Sequence, residues 1–81
     1  MFIVYILKSI HHNRLYIGST ENPKLRLAAH NRGRVRSTKA FRPWKFVYYE
    51  EYSIKQEARC RELQIKAYKS GEGLRKLLAP T

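Results

Sequence analysis

Five residues of this chain have types and spacings that can do chemistry. Tyr5 stands in Ile3-Val4-Tyr5 and Tyr16 in Tyr16-Ile17-Gly18, with Ser9-Ile10-His11-His12-Asn13 between them; Arg26, His30 and, much later, Glu62 follow. Hydroxyl, guanidinium and imidazole in a chain of net charge +11 point to a phosphodiester. Cutting that bond needs an activated water, neutralisation of the phosphoryl oxygens and help for the leaving oxygen. A carboxylate-held divalent cation can do the second and third tasks. An arginine fork donates two parallel hydrogen bonds to a phosphate. A tyrosine hydroxyl, with a reference pKa near ~10, is a poor base unless positive charge lowers that value.

Each of these signals has a plainer explanation when taken alone. Strand tyrosines commonly bury the ring and leave the hydroxyl at the edge. A strand glycine such as Gly18 is often a bulge or a point of close packing. Arg26 and His30, four apart, share a helix face that is usually solvated. Glu62 can pair with Arg59, Arg61 or Lys66.

The elements that must position these groups fit a small domain. Eighty-one residues bury only about 60–65% of their unfolded surface, so one small sheet and two or three helices exhaust the chain. Apolar content of 43% and ten aromatics supply a core. The single Cys60 can form neither an internal disulfide nor a thiol metal site, and it fits a reducing, cytoplasmic interior. The apolar start Met1–Leu7 lacks a basic leader and ends at Lys8, so no export signal is expected. No apolar run approaches the length of a membrane span.

Charge is unevenly placed. Between Glu21 and Glu50 there are eight basic residues and no acidic one: Lys24, Arg26, Arg32, Arg34, Arg36, Lys39, Arg42 and Lys45. Such a field attracts polyanions and speeds their arrival. Most of these charges fall in a loop rather than on one helix face, which disfavours an anionic membrane as the target.

Residues 2–8 are β-branched and aromatic and read as a strand buried on both faces, with Ile3, Tyr5 and Leu7 on one of them. Residues 14–19 form its antiparallel partner; whether Tyr16 shares the Tyr5 face depends on register. Asn22-Pro23 starts a helix that runs to about Asn31 and stops near Gly33, with Leu25, Ala28 and Ala29 as its apolar stripe. Gly33 to Pro43 has no periodicity and is a basic loop. Trp44–Tyr52 is the third strand. Ser53 caps a second helix with Gln56 completing a capping box, and Ile54, Ala58 and Ile65 line one side with Glu62 on the flank. Ser70-Gly71-Glu72-Gly73 breaks that helix, and Leu74–Ala79 forms a short terminal one. The expected fold is α+β: a three-stranded antiparallel sheet flanked by helices in the order β-β-α-β-α-α.

The order of these residues resembles the GIY-YIG nuclease superfamily. The similarity runs through Ile3-Val4-Tyr5, Tyr16-Ile17-Gly18-Ser19-Thr20, Asn22, Arg26-Leu27 and His30-Asn31. It continues through Thr38, Arg42-Pro43-Trp44-Lys45, Tyr48-Tyr49-Glu50, Ala58, Glu62 and Ile65-Lys66, covering roughly residues 2–68. The second motif is intact, while the first carries Ile3 for glycine and Val4 for isoleucine. The resemblance is to the small standalone members. It implies that Tyr5 and Tyr16 position and deprotonate the attacking water, without deciding which is the base. It implies that Arg26 contacts the scissile phosphate and that His30 binds or polarises the site. Glu62 matches the single acidic ligand of one Mg²⁺ or Mn²⁺; Glu50, Glu51 and Glu57 do not match it.

The function so implied is metal-dependent hydrolysis of DNA on a structured or damaged substrate, in repair or recombination. Arg32, Arg34, Arg36, Lys39, Arg42 and Lys45 would hold the backbone without reading sequence. A catalytically silent DNA- or RNA-binding module of the same fold is the rival. Larger relatives carry separate DNA-binding domains and a polar contact after the metal-binding helix; the stretch Lys69–Gly73 offers no equivalent. That leaves room for a protein partner that supplies targeting.

Overall fold

The computed structural model describes residues 1–68 and 72–78. Its elements are β1 (Phe2–Ser9), β2 (Leu15–Thr20), α1 (Pro23–Asn31), a 3₁₀ turn (Lys39–Phe41), β3 (Trp44–Tyr52), α2 (Lys55–Tyr68) and α3 (Glu72–Leu78). The strands form one antiparallel sheet in the order β2-β1-β3, giving the expected α+β architecture.

β1 is the centre of the molecule because its apolar run serves two cores at once. Val4 and Ile6 pack with Ala58 and Ile65 of α2 and Leu74 of α3. Ile3, Tyr5 and Leu7 point to the other face, against Trp44, Leu27 of α1 and Phe46. All five residues from Ile3 to Leu7 are buried. Burying each aliphatic side chain stabilises the fold by roughly 1.5–3 kcal/mol relative to exposure. A strand that is apolar on both faces therefore requires a helix on each.

α1 forms where the caps dictate. The Asn22 side chain accepts from Leu25 N at 3.2 Å, and Pro23 occupies the first turn. At the other end Gly33 takes a left-handed φ of +78°. Its N–H donates to the His30 carbonyl at 3.2 Å while Arg34 N–H donates to Ala29 at 3.0 Å, the paired bonds of a Schellman stop. The inward stripe differs from the expected one. Leu25 is 68% exposed, whereas His30 is fully buried with Leu27 on the same side. The stripe is out of phase because a histidine occupies a core position.

Two features of α2 also depart from expectation. The helix begins at Lys55, so Ile54 holds the cap position and gives its carbonyl to Ala58 N; Ser53 and Gln56 form no capping box. Ile54 is consequently exposed, outside the stripe of Ala58 and Ile65. Glu72 and Gly73 open α3 rather than interrupting a helix. The expected break at Ser70-Gly71 and the end of the terminal helix at Ala79 lie outside the described residues.

The segment between α1 and β3 is ordered despite lacking periodicity. Asn31 clamps its far end: its side-chain oxygen accepts from Trp44 N at 2.6 Å and its amide donates to the Trp44 carbonyl at 3.1 Å. Trp44 Nε1 donates to the Thr38 carbonyl at 2.9 Å. Thr38 is itself buried.

Candidate active site

Register settles where the two tyrosines point. Tyr16 pairs with Leu7, and Gly18 pairs with Tyr5, so all of these lie on the face covered by α1. A bulge between Ile6 and Leu7 then shifts β3, placing Phe46 opposite Leu7. The Phe46 ring meets Tyr5 edge-on at 5.8 Å. Tyr5 is thereby enclosed by Phe46, by Tyr16 at 6.3 Å and by His30 at 6.2 Å between ring centroids.

The Tyr5 hydroxyl reaches over Gly18, where a Cβ would stand only 2.7 Å from its oxygen. It lies 3.2 Å from His30 Nε2, and the Arg26 guanidinium is close enough to act on it electrostatically. Arg26 also faces the Tyr16 hydroxyl, and the Tyr16 ring lies 4.7 Å from His30. Tyr5, Tyr16, Arg26 and His30 therefore form one cluster, assembled by β1, β2 and the inner face of α1.

The electrostatics of the cluster are opposed. Burial pushes the Tyr5 hydroxyl above its ordinary value; the Arg26 guanidinium pulls it down but does not prevail, and the nearby Tyr16 and Glu62 charges add to the rise. Burial lowers the pKa of His30, and the Arg26 charge lowers it further. His30 is a neutral imidazole near neutral pH, with a lone pair to offer. Arg26 holds its proton more firmly than usual, chiefly through the Tyr5 hydroxyl.

Glu62 lies on the opposite side of the sheet. It projects from α2 to the outer strand β2, where Ser19 Oγ donates to Oε1 at 2.7 Å. Lys66 Nζ donates to Oε2 at 2.7 Å, and Arg59 approaches Oε1 at 3.6 Å. Burial pushes this carboxyl up, but the bonds from Lys66 and Ser19 and the charges of Lys66 and Arg59 outweigh it, leaving the pKa below the ordinary value. Among the described residues no three His, Cys, Asp or Glu side chains converge as a metal cage. A lone, oriented and ionised carboxylate nonetheless suits a cation that keeps most of its waters and takes phosphate oxygens. Arg61, a partner considered for Glu62, instead grips Glu50 with two bonds of 2.8 and 3.0 Å.

Arg32, Arg34, Arg36, Lys39, Arg42 and Lys45 are all exposed, on the segment that leaves α1 beside His30 and on the start of β3. Arg42 is tied to the Lys39 carbonyl at 2.9 Å. Two site residues carried no assigned role in the sequence. Ser19 orients Glu62, and Thr38 Oγ1 lies 2.8 Å from His30 Nδ1. Neither contact has a local spacing signal, since 43 and 8 residues separate the partners.

Comparison with known proteins finds a family and several relatives that match the chain. The family described as the GIY-YIG catalytic domain matches residues 1–74. A UPF0213 protein of Staphylococcus haemolyticus is 42% identical over 73 residues, covering 89% of this chain and 88% of that one. UPF0213 proteins of Staphylococcus aureus strains Mu3 and Mu50 are each 41% identical over the same length and shares. No solved structure matches the chain.

Proposed function

This chain belongs to the GIY-YIG family, a nuclease-type family, and from that membership we propose that it is a metal-dependent endonuclease hydrolysing DNA phosphodiester bonds. Structured or damaged DNA is the favoured substrate, in repair or recombination, because so small a domain has few elements with which to read bases. The observation that carries the reading is the Tyr5 hydroxyl, held between a guanidinium that neutralises phosphate charge and a neutral imidazole that can take a proton.

The chemistry follows from those contacts. The attacking water loses its proton to the Tyr5 oxygen as Tyr5 passes its own to His30 Nε2, which becomes imidazolium. The water oxygen bonds to phosphorus, the bond to the leaving oxygen breaks, and that oxygen is protonated from solvent. Tyr5 rather than Tyr16 is the base in this scheme, because Tyr5 has the proton acceptor. Arg26 donates to the phosphoryl oxygens as charge develops on them. A single Mg²⁺ or Mn²⁺ at Glu62 would supply further neutralisation of the phosphoryl and leaving oxygens. The exposed basic residues hold the flanking backbone, and a protein partner supplies targeting.

One observation favours the rival, a silent nucleic-acid-binding module. The Glu62 carboxylate already satisfies itself with Lys66 and Ser19, as a structural ion pair would. Incubating wild type and Glu62→Gln with single-stranded, duplex, flap and junction DNAs, in Mg²⁺, Mn²⁺ or EDTA, separates the two. The endonuclease cuts in metal, not in EDTA, and loses cutting but not binding in Glu62→Gln. Binding without cutting on every substrate selects the rival.

A further inference from the structure

We propose that Thr38 is a positioning residue that fixes which ring nitrogen of His30 carries the proton, and so commits the Tyr5 hydroxyl to donating inward. Its consequence for cleavage rests on the nuclease reading above; the proton arrangement itself does not.

A hydroxyl has one proton to donate. Thr38 Oγ1 has two partners, the Val35 carbonyl at 3.3 Å and His30 Nδ1 at 2.8 Å. A carbonyl oxygen can only accept, so the contact with Val35 takes the threonine proton. Oγ1 must then accept from His30, which places a proton on Nδ1. In a neutral imidazole Nε2 is left as a bare acceptor. Its partner is the Tyr5 oxygen at 3.2 Å, which therefore donates. Every contact in the chain Val35–Thr38–His30–Tyr5 is satisfied, and among the described residues no buried side-chain nitrogen or oxygen lacks a partner.

The opposite arrangement fails at both ends. If Thr38 donated to Nδ1, the Val35 contact would carry no proton and Nε2–H would point at the Tyr5 oxygen. Tyr5, 1% exposed, would then need another acceptor. The charged neighbour on that side is Arg26, which has only donors. The doubly protonated ring is disfavoured by burial and by the Arg26 charge. The groups facing this relay are Tyr5 from β1, Tyr16 from β2 and Arg26 from α1.

Thr38 is built to hold still. Its N–H donates to Val35 at 3.1 Å, and its carbonyl accepts from Phe41 N at 3.2 Å and from Trp44 Nε1 at 2.9 Å. It is 1% exposed. The residue thus ties the basic segment to the chemistry. A hydroxyl in its place orients the ring much as outer partners orient the histidines of metal sites.

The test reads the ring directly. Long-range ¹H–¹⁵N correlation spectra of the metal-free protein, without DNA, report which nitrogen of His30 is protonated, with the exposed His11 and His12 replaced by Gln so that His30 is the histidine read. Wild type and Thr38→Ser are expected to show Nδ1–H, and Thr38→Val to lose that preference. Cleavage by Thr38→Val should fall about 10–100-fold, with DNA affinity unchanged and Thr38→Ser restoring the rate. Nε2–H in the wild-type protein overturns the proposal whether or not any variant folds. So does a Thr38→Val protein that keeps Nδ1–H or the full rate. Should wild type show Nδ1–H yet cut no DNA, the proton arrangement stands and the nuclease reading falls.

Discussion

Replacing Gly18 by alanine tests whether the glycine exists to make room for the Tyr5 hydroxyl. The two residues are direct cross-strand partners. A Cβ at Gly18 would lie 2.7 Å from the hydroxyl oxygen, 2.9 Å from the ring carbon that bears it and 3.1 Å from Tyr16 Cε2. Ordinary contact begins at 3.4 Å, so the oxygen must retreat by 3.4 − 2.7 = 0.7 Å. It has little space to do so, because Phe46, Tyr16 and His30 close the ring in. Overpacking of this kind costs about 1–3 kcal/mol, and each kcal/mol lowers the melting point of so small a domain by about 4–8 °C. A misplacement approaching 1 Å costs about 10²-fold in rate, so cleavage should fall about 30–100-fold. Thermal melts and single-turnover cleavage of the best substrate measure the two effects. In a Tyr5→Phe background the closest atom is gone, and the added destabilisation by Gly18→Ala should shrink by at least about 0.5 kcal/mol. A Gly18→Ala protein with wild-type melting and wild-type rate would show that Tyr5 is not confined as described.

Arg26→Lys keeps the charge but replaces a planar fork that faces two tyrosine hydroxyls with a point donor. Cleavage should fall by about 10²-fold or more, a transition-state penalty of roughly 3 kcal/mol, with DNA affinity nearly unchanged; equal rates would reduce Arg26 to part of the general positive field. Glu50 is held down to about 2 from 4.5, first by the Arg61 bonds and then, against the upward push of burial, by Tyr48 and Tyr52. Because the folded value lies below the unfolded one, its stabilisation is complete above about pH 4.5 and is lost as pH falls towards about 2. That lowering, discounted for a partly solvated pair, corresponds to about 1–2 kcal/mol. Glu50→Gln should therefore destabilise by that amount near neutral pH and hardly at all near pH 2, as urea unfolding would show; an equal loss at both would assign the effect to packing.

The fold was legible where local chemistry decides it. The double-faced strand β1, the Asn22-Pro23 start and the Gly33 stop all stand where composition and caps put them. The phase of α1 was not legible, because apolar periodicity gives no reason to bury His30 in place of Leu25. Ser53 also misled, since cap preference is weaker than the contacts that start α2 at Lys55. In the site, Arg26 and His30 share a helix face, and Lys66 stands one turn beyond Glu62, so both pairings are visible from spacing. The face of Tyr16 awaited the strand register. The roles of Thr38 and Ser19 awaited the tertiary fold, because each acts on a residue from another element.

The proposed mechanism asks residues on two sides of a sheet to serve one phosphate, and the position of β2 bears on whether they can. Tyr5, Tyr16, Arg26 and His30 occupy one face, while Ser19 and Glu62 meet on the other. A central strand would separate them. β2 is an outer strand, and among the described residues no further strand lies beyond it to separate one face from the other. Gly18 thins that strand where Tyr5 crosses it, and the Glu62 charge is felt at the Tyr5 hydroxyl. On the Glu62 side, Ser19, Thr20, Lys55 and Arg59 border a groove of ≈ 510 Å³. A phosphodiester that touches both Arg26 and Glu62 must therefore lie across the edge of β2, with cations on either side of it. The same geometry bears on Gly18: a side chain there would push away the Tyr5 hydroxyl and thicken the edge that lies between Arg26 and Glu62.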